Sequence, residues 1–510
     1  MQTCIGKVKN MSSSSSGGSQ NTALTKSLSS NIDLFKSMFK NDQTMITRMV
    51  ETPSDPRISY CLLYCDGMVN NKLLNEDVIK PLLEYRPEER EHDLVDVLAK
   101  QVMISNSVEK TSDVDKLIQG MVYGDTVLLT DGYADALILN TKGWPTRSAG
   151  EPDSERVIRG PREGFNEALL MNLALVRRRI RTPDLKMEFQ TFGTKTQTKA
   201  CICYLDGVVN KEVLDELKKR LSKFKIDGTL DVNYITEFIK DVPFSPVKTV
   251  GSTERPDIVA AKLLEGRVAL FLDGTPVVLT LPHFFIEHFQ SDEDYYLNYY
   301  YASFNRFLRL IAFFISTSIP AIYVALTAFH QEMLPLPLMM SISLARQGVP
   351  FPTAIEMVLM LTVFEMLRES GARMPGMMGQ ALSIVGALVI GQAAVQAKIV
   401  SAPMIIIVAF TGISGLMVPR IKGLSIFLRY FLLFLSSMLG LYGYMFGGLG
   451  LLIHLFSTSS FGIPIMTSTY ANGLQDKKDI MYRAPWWFMK KRPKFLSPNT
   501  TRQSTKDDSQ

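Results

Sequence analysis

A cytosolic α/β region of two related, duplicated subdomains, followed by a polytopic all-α transmembrane domain of five or six spans, is the fold class this sequence predicts. Three observations carry that reading. Charge is partitioned: residues 310–475 hold eleven charged side chains in 166 positions, leaving 94 of the chain's 105 to the other 344. A decapeptide repeats, CLLYCDGMVN at 61–70 returning as CICYLDGVVN at 201–210, identical at six of ten positions. Uncharged stretches of 20 or more residues recur in the charge-poor part, enough to cross about 30 Å of hydrocarbon at about 1.5 Å per residue.

Residues 1–30 are rich in Ser, Thr, Asn and Gly, with SSSSSGGS at 12–19, and read as a disordered arm because they bury too little to offset the entropy of ordering. They contain no apolar h-region, so the domain that follows is expected in the cytoplasm. The first subdomain spans 31–145. Its apolar run ends in Asp-Gly, after which Asn70 caps a helical pattern by accepting a free amide hydrogen. GDTVLLTDGYADALIL at 124–139 reads as a hairpin turning at Asp131-Gly132. Residues 146–194 read as a linker that opens with Pro and Gly and continues as a helix from about 163 to 179. The second subdomain, 195–300, repeats the plan, with Asn210 as cap and a hairpin turning at Asp273-Gly274. The offsets, 140 residues for the strand and 142 for the hairpin, fit one ancestral unit with a small insertion.

The transmembrane domain is placed at 305–457 and a polar tail at 458–510. Residues 310–329, 374–397 and 399–419 are each long enough to span. The run 424–456 is too long for one untilted span and carries glycines at 440, 443, 447, 448 and 450, so two short spans joined by a turn are expected. Residues 334–374 contain Pro335, Pro337, Pro350 and Pro352 among apolar positions with Arg346, Glu356, Glu365, Arg368 and Glu369, which reads as a broken or re-entrant helix facing protein or water. With the N-terminus inside, basic clusters favour six crossings and a cytoplasmic tail; one long tilted helix at 424–456 makes it five.

No catalytic constellation appears: neither a phosphate loop, nor HExxH, nor a nucleophile elbow. The expectation is a protein that is not an enzyme and uses no cofactor and no metal. His283 and His288 lack a metal-site spacing and read as interfacial side chains. In the repeat alignment Cys65 falls opposite Leu205 and Cys203 opposite Leu63, so Cys61, Cys65, Cys201 and Cys203 read as strand core rather than metal ligands. RRRIR at 177–181 complements a helix C-terminus more readily than it marks a lipid or partner site, and a net charge of +5 gives no nucleic-acid footprint. The intramembrane carboxylates are the sharpest signal, since a charge at mid-bilayer costs about 2.5–3.5 kcal/mol on insertion scales. Glu356 and Glu365, nine residues apart, point about 180° apart on a continuous helix. Glu365, Arg368 and Glu369 share a face and are expected to pair among themselves, a structural reading. Glu356 has no close helical partner and is the better candidate for permeation or gating.

Several long strings, RGPREGFNEALLMNLALVRRRIRTPDL, TERPDIVAAKLLEGRVALFLDGTP, SDEDYY, ARQGVPFPTAIEMVLMLTVFEMLRESGARMP and GQALSIVGALVIGQAAVQAKIVSAP, resemble the A subunits of GerA-type spore germination receptors from about residue 34 to about 490. The resemblance implies a multi-pass subunit of a nutrient receptor in the spore inner membrane. Implied partners are a transporter-like, germinant-binding B subunit, a lipoprotein C subunit, membrane lipid and copies of the chain itself, oligomerising to form or gate a cation path; nucleic acid is not expected. It carries over Pro350, Pro352, Glu356, Glu365, Arg368 and Glu369 as the membrane motif, and Arg159, Gly160, Pro161, Asn172, Arg177 and Arg179 as a linker motif for assembly. Competing readings are an A-subunit-like paralogue assisting a dipicolinate channel, a membrane transporter with a site between discontinuous helices, and a purely structural scaffold.

Overall fold

The computed structural model describes residues 23–52, 57–86, 94–143, 155, 157, 159–373, 386, 389–467, 478–498 and 501–502. Most of the expected arm and of the expected span at 374–397 lie outside the described residues. The chain divides into two compact units, residues 1–146 with 173–186, and residues 147–172 with 187–510.

In the first unit, β1 (Met45–Glu51), β2 (Ser59–Cys65), β3 (Val108–Thr111), β4 (Thr126–Thr130) and β5 (Ala136–Leu139) form one antiparallel sheet in the order β1-β2-β4-β5-β3. Side chains alternate across a strand. Accordingly Tyr60, Leu62 and Tyr64 of β2 enter a cluster with Leu74, Val78, Leu82 and Leu98, while Cys61 and Leu63 enter a second one with Phe35, Leu117 and Met121. Both faces are covered, which is why β2 reads as an unbroken apolar run. Asn70 caps the following helical segment as expected, its side chain accepting from Lys72 N at 3.0 Å. The β4–β5 hairpin turns at Asp131-Gly132, with Gly132 at φ +86, a conformation only glycine adopts without strain.

The second unit repeats this topology: β6 (Leu185–Phe192), β7 (Thr198–Leu205), β8 (Gly251–Thr253), β9 (Val268–Leu272) and β10 (Val278–Leu281) pair in the order β6-β7-β9-β10-β8. Asn210 accepts from Glu212 N at 3.1 Å, and Gly274 sits at φ +86. All four described cysteines are fully buried strand residues without disulfides. Burial pushes the Cys61 thiol up to about 12 and that of Cys65 to about 11, so neither offers a thiolate.

The duplication extends further than the two recurring strings. Helix Leu28–Met38 begins with Leu28 N donating to Asp131 Oδ1 (3.2 Å), Gly132 N donating to the Lys26 carbonyl (2.9 Å), and Asn31 Oδ1 accepting from Thr25 N (2.9 Å). Helix Leu169–Arg177 repeats all three: Leu169 N to Asp273 (3.0 Å), Gly274 N to the Glu167 carbonyl (2.8 Å), and Asn166 N to Asn172 Oδ1 (2.9 Å). The helix placed in the linker is therefore built like the first helix of a repeat. It starts at Leu169 rather than near 163 because Asn166 accepts from Ala168 N at 2.9 Å, an Asx turn that competes with helix.

The C-terminal part is helical: Tyr299–Ala328, Leu336–Ala345, Thr353–Arg373, Ala402–Leu416 and Lys422–Ser457. Among the described residues two helices, Tyr299–Ala328 and Pro419–Ser457, are long and apolar enough to cross a membrane. The second is not a rod. Gly440 has φ 60 and ψ −139, and a Cβ on Gly447 would lie 2.8 Å from Leu435 and 3.0 Å from Leu432, residues about 18–22 Å away along a straight helix. A Cβ on Gly443 would collide with the Leu435 carbonyl. Residues 422–439 and 441–457 are two limbs of a helical hairpin, as the glycine pattern predicts. Its ends meet the same subdomain: Arg420 reaches Asp292 at 2.8 Å and His454 Nε2 lies 2.8 Å from Ser245 Oγ. Its tip packs against Phe329 and His330, just past the first long helix. The tail then returns to the second subdomain, where Phe495 packs edge-on against Phe284 and Ser497 Oγ donates to the Val208 carbonyl at 2.5 Å.

Candidate functional site: a buried carboxylate between broken helices

Pro350 and Pro352, both exposed, and Gly348 at φ +89 break the chain between Leu336–Ala345 and Thr353–Arg373. The Pro352 carbonyl accepts the Glu356 N–H at 3.0 Å, so the break places Glu356 in the first turn of the new helix. Its neighbours Met357, Met360 and Leu361 pack with Val324, Val400, Met404, Val408 and Leu433 from three other segments. Glu356 is fully buried in that apolar setting.

Ser401, the N-cap of Ala402–Leu416, donates to Glu356 Oε1 from its backbone N (2.5 Å) and its hydroxyl (2.6 Å). A helix N-terminus favours negative charge, so this carboxylate is held on one side by two donors and a dipole. The other oxygen, Oε2, has no hydrogen bond; Arg346 Nε stands 3.9 Å away and has none either. The Tyr323 hydroxyl, in the same cluster, is also unbonded. Two opposite charges thus face each other across a gap just too wide for a hydrogen bond.

The other carboxylates differ. Glu365 binds Arg368 one turn on, as expected, and also Arg429 Nη1 at 2.9 Å, while Arg429 Nε donates to the Ser316 carbonyl at 2.7 Å. Glu369 does not join them: its partner is Arg373 at 2.7 Å, on the exposed side of the helix. The expected three-residue cluster is therefore corrected to a pair tied to another helix and a separate surface pair. Arg429 escaped the sequence reading; its signal was its solitude, the one charge in the run 424–456.

The linker motif resolves into local structure. Arg159 N donates to Glu293 Oε1 at 3.3 Å. Gly160, at φ +127, lies under the Tyr296 ring, which a Cβ would approach to 2.7 Å. The Pro161 carbonyl accepts from Arg255 Nη2 at 3.1 Å. Asn172 closes the helix start described above. Arg177 is 1% exposed and pairs with Asp42 at 2.6 Å and Thr44 Oγ1 at 3.1 Å, Arg179 folds back on the Leu175 carbonyl at 3.1 Å, and Arg181 lies over the Tyr123 ring at 4.1 Å. In RRRIR these three arginines are engaged within the protein.

Where the second subdomain meets the first long helix, Asp294 binds Arg306 and Arg309 at 2.9 Å each, and Arg306 and the Tyr295 hydroxyl hold Asp479 of the tail at 2.8 and 2.6 Å. Burial alone would raise the Asp294 carboxyl, but the Arg309 hydrogen bond and both guanidinium charges hold it below its ordinary value. His283 and His288, read as interfacial side chains, face each other with rings 4.9 Å apart, His288 buried and His283 nearly so. Burial keeps both imidazoles below their ordinary pKa, against the opposing charge of Glu287. Among the described residues no group of three or more His, Cys, Asp or Glu side chains is placed to hold a metal.

The chain is similar to "Uncharacterized membrane protein YfkQ" of Bacillus subtilis strain 168, 44% identical over 87% of each chain. It is 39% identical to "Spore germination protein KA" of the same organism over 95% of this chain and 89% of that one, and 37% identical to its "Spore germination protein B1" over 92% and 97%. A solved structure, the N-terminal domain of the A subunit of the Bacillus megaterium spore germinant receptor GerK3, is 28% identical over 51% of this chain and 96% of that one, with a TM-score of 0.41. Residues 33–495 match the Bacillus/Clostridium GerA spore germination protein family as a whole, and the chain belongs to that family.

Proposed function

We propose that this chain is the A-type subunit of a nutrient germinant receptor in the spore inner membrane. In this reading it oligomerises to form or gate a cation path, works with a transporter-like B subunit and a lipoprotein C subunit, and catalyses no reaction. The observation that carries the proposal is Glu356: a fully buried carboxylate with one oxygen anchored by Ser401 and the other left facing Arg346. Intramembrane carboxylates are costly, and where they persist they mark ion pathways or relays. A half-satisfied one beside a helix break is suited to exchange partners.

The reading takes six crossings, with the α/β region and the tail both cytoplasmic, and chain direction supports the count. The first long helix runs from Arg306, beside Asp294, to the hairpin tip beside Phe329 and His330. Thr353–Arg373 runs back, since Glu356 packs near Val324 and Glu365 reaches Ser316 through Arg429. Ala402–Leu416 runs the same way, from Ser401 at Glu356 toward Arg420 at Asp292. In this reading one more crossing joins Thr353–Arg373 to Ala402–Leu416, and the hairpin adds two.

Glu356→Gln keeps the volume and the Ser401 bonds and removes the charge. Spores carrying it are expected to lose or strongly slow potassium release after nutrient addition while holding normal amounts of assembled protein. Potassium release at the wild-type rate, with normal protein levels, overturns the role of Glu356 in conduction.

A further inference from the structure

A cavity of about 770 Å³ opens where the second subdomain, the start of the membrane hairpin and the returning tail meet. Its walls include β8, the helix Pro256–Leu264, the turn Phe285–Phe289, Arg420 and Trp486. Acidic and basic groups both line it, but they are not equally engaged. Glu287 is bound by Lys262 and Arg267 at 2.5 Å each, Asp257 by Arg255 at 2.6 Å, Asp292 by Arg420 at 2.8 Å, and Glu265 by Arg502 at 3.4 Å.

Lys248 and His288 stand on the same wall: Lys248 is exposed and forms no ion pair among the described residues, Glu155 acting on its charge only from a distance, whereas His288 is buried. His288 is only 5% exposed, and its Nε2 makes no hydrogen bond. Burial, and the nearby His283 and Lys248, disfavour its protonation. A buried polar group left unbonded is costly, and the His288 imidazole, with the exposed Lys248 ammonium beside it on the wall, offers an incoming anion two nitrogen donors.

We propose that this cavity binds a phosphate ester, with phosphate oxygens accepting hydrogen bonds from the Lys248 ammonium and the His288 imidazole. A phosphate offers several acceptor oxygens in different directions, which suits two donors on separate segments and Arg420 beside them. The volume far exceeds a bare phosphate, so the ester's organic body lies along Trp486 and Tyr296. Such a ligand touches the subdomain, the hairpin approach and the tail at once, and it stabilises the arrangement in which the three meet. The proposal is independent of conduction through Glu356. The same headgroup chemistry comes from a soluble metabolite or from an anionic phospholipid of the adjoining leaflet, and the test separates them.

The full-length protein is reconstituted in phosphatidylcholine nanodiscs and titrated calorimetrically with glycerol 3-phosphate and with inorganic phosphate; phosphatidylglycerol retained through purification is read by native mass spectrometry. Glycerol 3-phosphate binding that weakens about tenfold or more in Lys248→Gln, the size of one charge-assisted hydrogen bond, supports a soluble ester. Phosphatidylglycerol retained by the wild type and lost from Lys248→Gln, without heat from the soluble ligands, supports a lipid headgroup. His288→Asn, at an independent position, is expected to act in the same direction. Binding that is equal in wild type and both folded variants, or absent for every probe, overturns the proposal.

Discussion

Arg429 and Glu365 show how a single pair fixes two helices. Arg429 is 1% exposed and spends its hydrogen bonds on Glu365 and the Ser316 carbonyl, so Arg429→Met leaves the carboxylate with Arg368 alone and cuts its tie to the other helix. Breaking a buried pair from one side costs about 3–5 kcal/mol, whereas replacing both partners is often near neutral. Arg429→Met alone is expected to lower the melting temperature in detergent sharply, and Arg429→Met with Glu365→Leu to recover most of it; equal losses would show that the pair does not couple. Arg346 behaves differently, because it reaches no hydrogen bond with Glu356. Exchanging the two charges, Arg346→Glu with Glu356→Arg, is expected to lower the melting temperature as well as ion release, since Ser401 N–H and O–H then face a buried cation at a helix N-terminus. At this scale the sequence displayed what was buried but not with whom. The cysteines read correctly as core because their exchange with leucine in the repeat is a volume argument. The second partner of Glu365 did not, because helical spacing lists neighbours on one helix and Arg429 lies 64 positions away; Glu369 takes Arg373, a neighbour on its own helix, in place of Arg368.

The hairpin makes the element-scale prediction. A side chain at Gly447 would press into Leu432 and Leu435, while a Cβ on Gly448 or Gly450 meets nothing within 4 Å. Gly447→Leu is expected to cost about 1–3 kcal/mol as overpacking, and Gly448→Leu close to nothing. A thermal-unfolding comparison of the two decides it: equal effects would mean the limbs do not pack as described. The turn Phe285–Phe289 supplies a pH dependence. His283 and His288 are held neutral below their ordinary pKa of 6.5, so near neutral pH they add no penalty, but below it the unfolded chain takes up protons that the folded chain refuses. Stability is therefore lost as pH falls from about 7 toward 5, and His288→Phe is expected to flatten that slope in melting curves. The elements themselves were largely legible: both hairpins, both asparagine caps and the glycine turn at 440. The helix at Leu169–Arg177 was legible too, but not its place as the first helix of the second repeat, because its kinship with Leu28–Met38 rests on Leu169, Asn172 and a shared turn rather than on a recurring string.

For the whole molecule, the division between a charged α/β part and an apolar helical part follows directly from where the 105 charges lie. What composition does not convey is that the tail comes back to the second subdomain. Asp479 is held by Arg306 and Tyr295, and Phe495 rests on Phe284. Removing residues from 478 onward is expected to expose Phe284 and to free Arg306, destabilising the junction ahead of the first long helix. Limited proteolysis should then cut near 290–298 faster in the truncated protein, and an unchanged cleavage rate would argue against the tail as a brace. On the proposed six-crossing arrangement, a reporter fused at 502 lies on the same side as one fused at 23; opposite sides would leave an odd number of crossings.

The hairpin also bears on how the protein is made. Its second limb, residues 441–457, contains no Asp, Glu, Lys or Arg to hold either end in place, whereas Arg420 and Lys422 stand at the foot of the first. Each limb is only about 25–27 Å long, and the second rests Gly443 and Gly447 on Leu432 and Leu435 of the first. On the proposed six-crossing arrangement neither is a good client for an insertion machinery that handles helices singly; the two limbs are expected to enter lipid as one cargo, after the chain has turned at Gly440, and a ribosome stalled before that turn would leave the first limb unpaired.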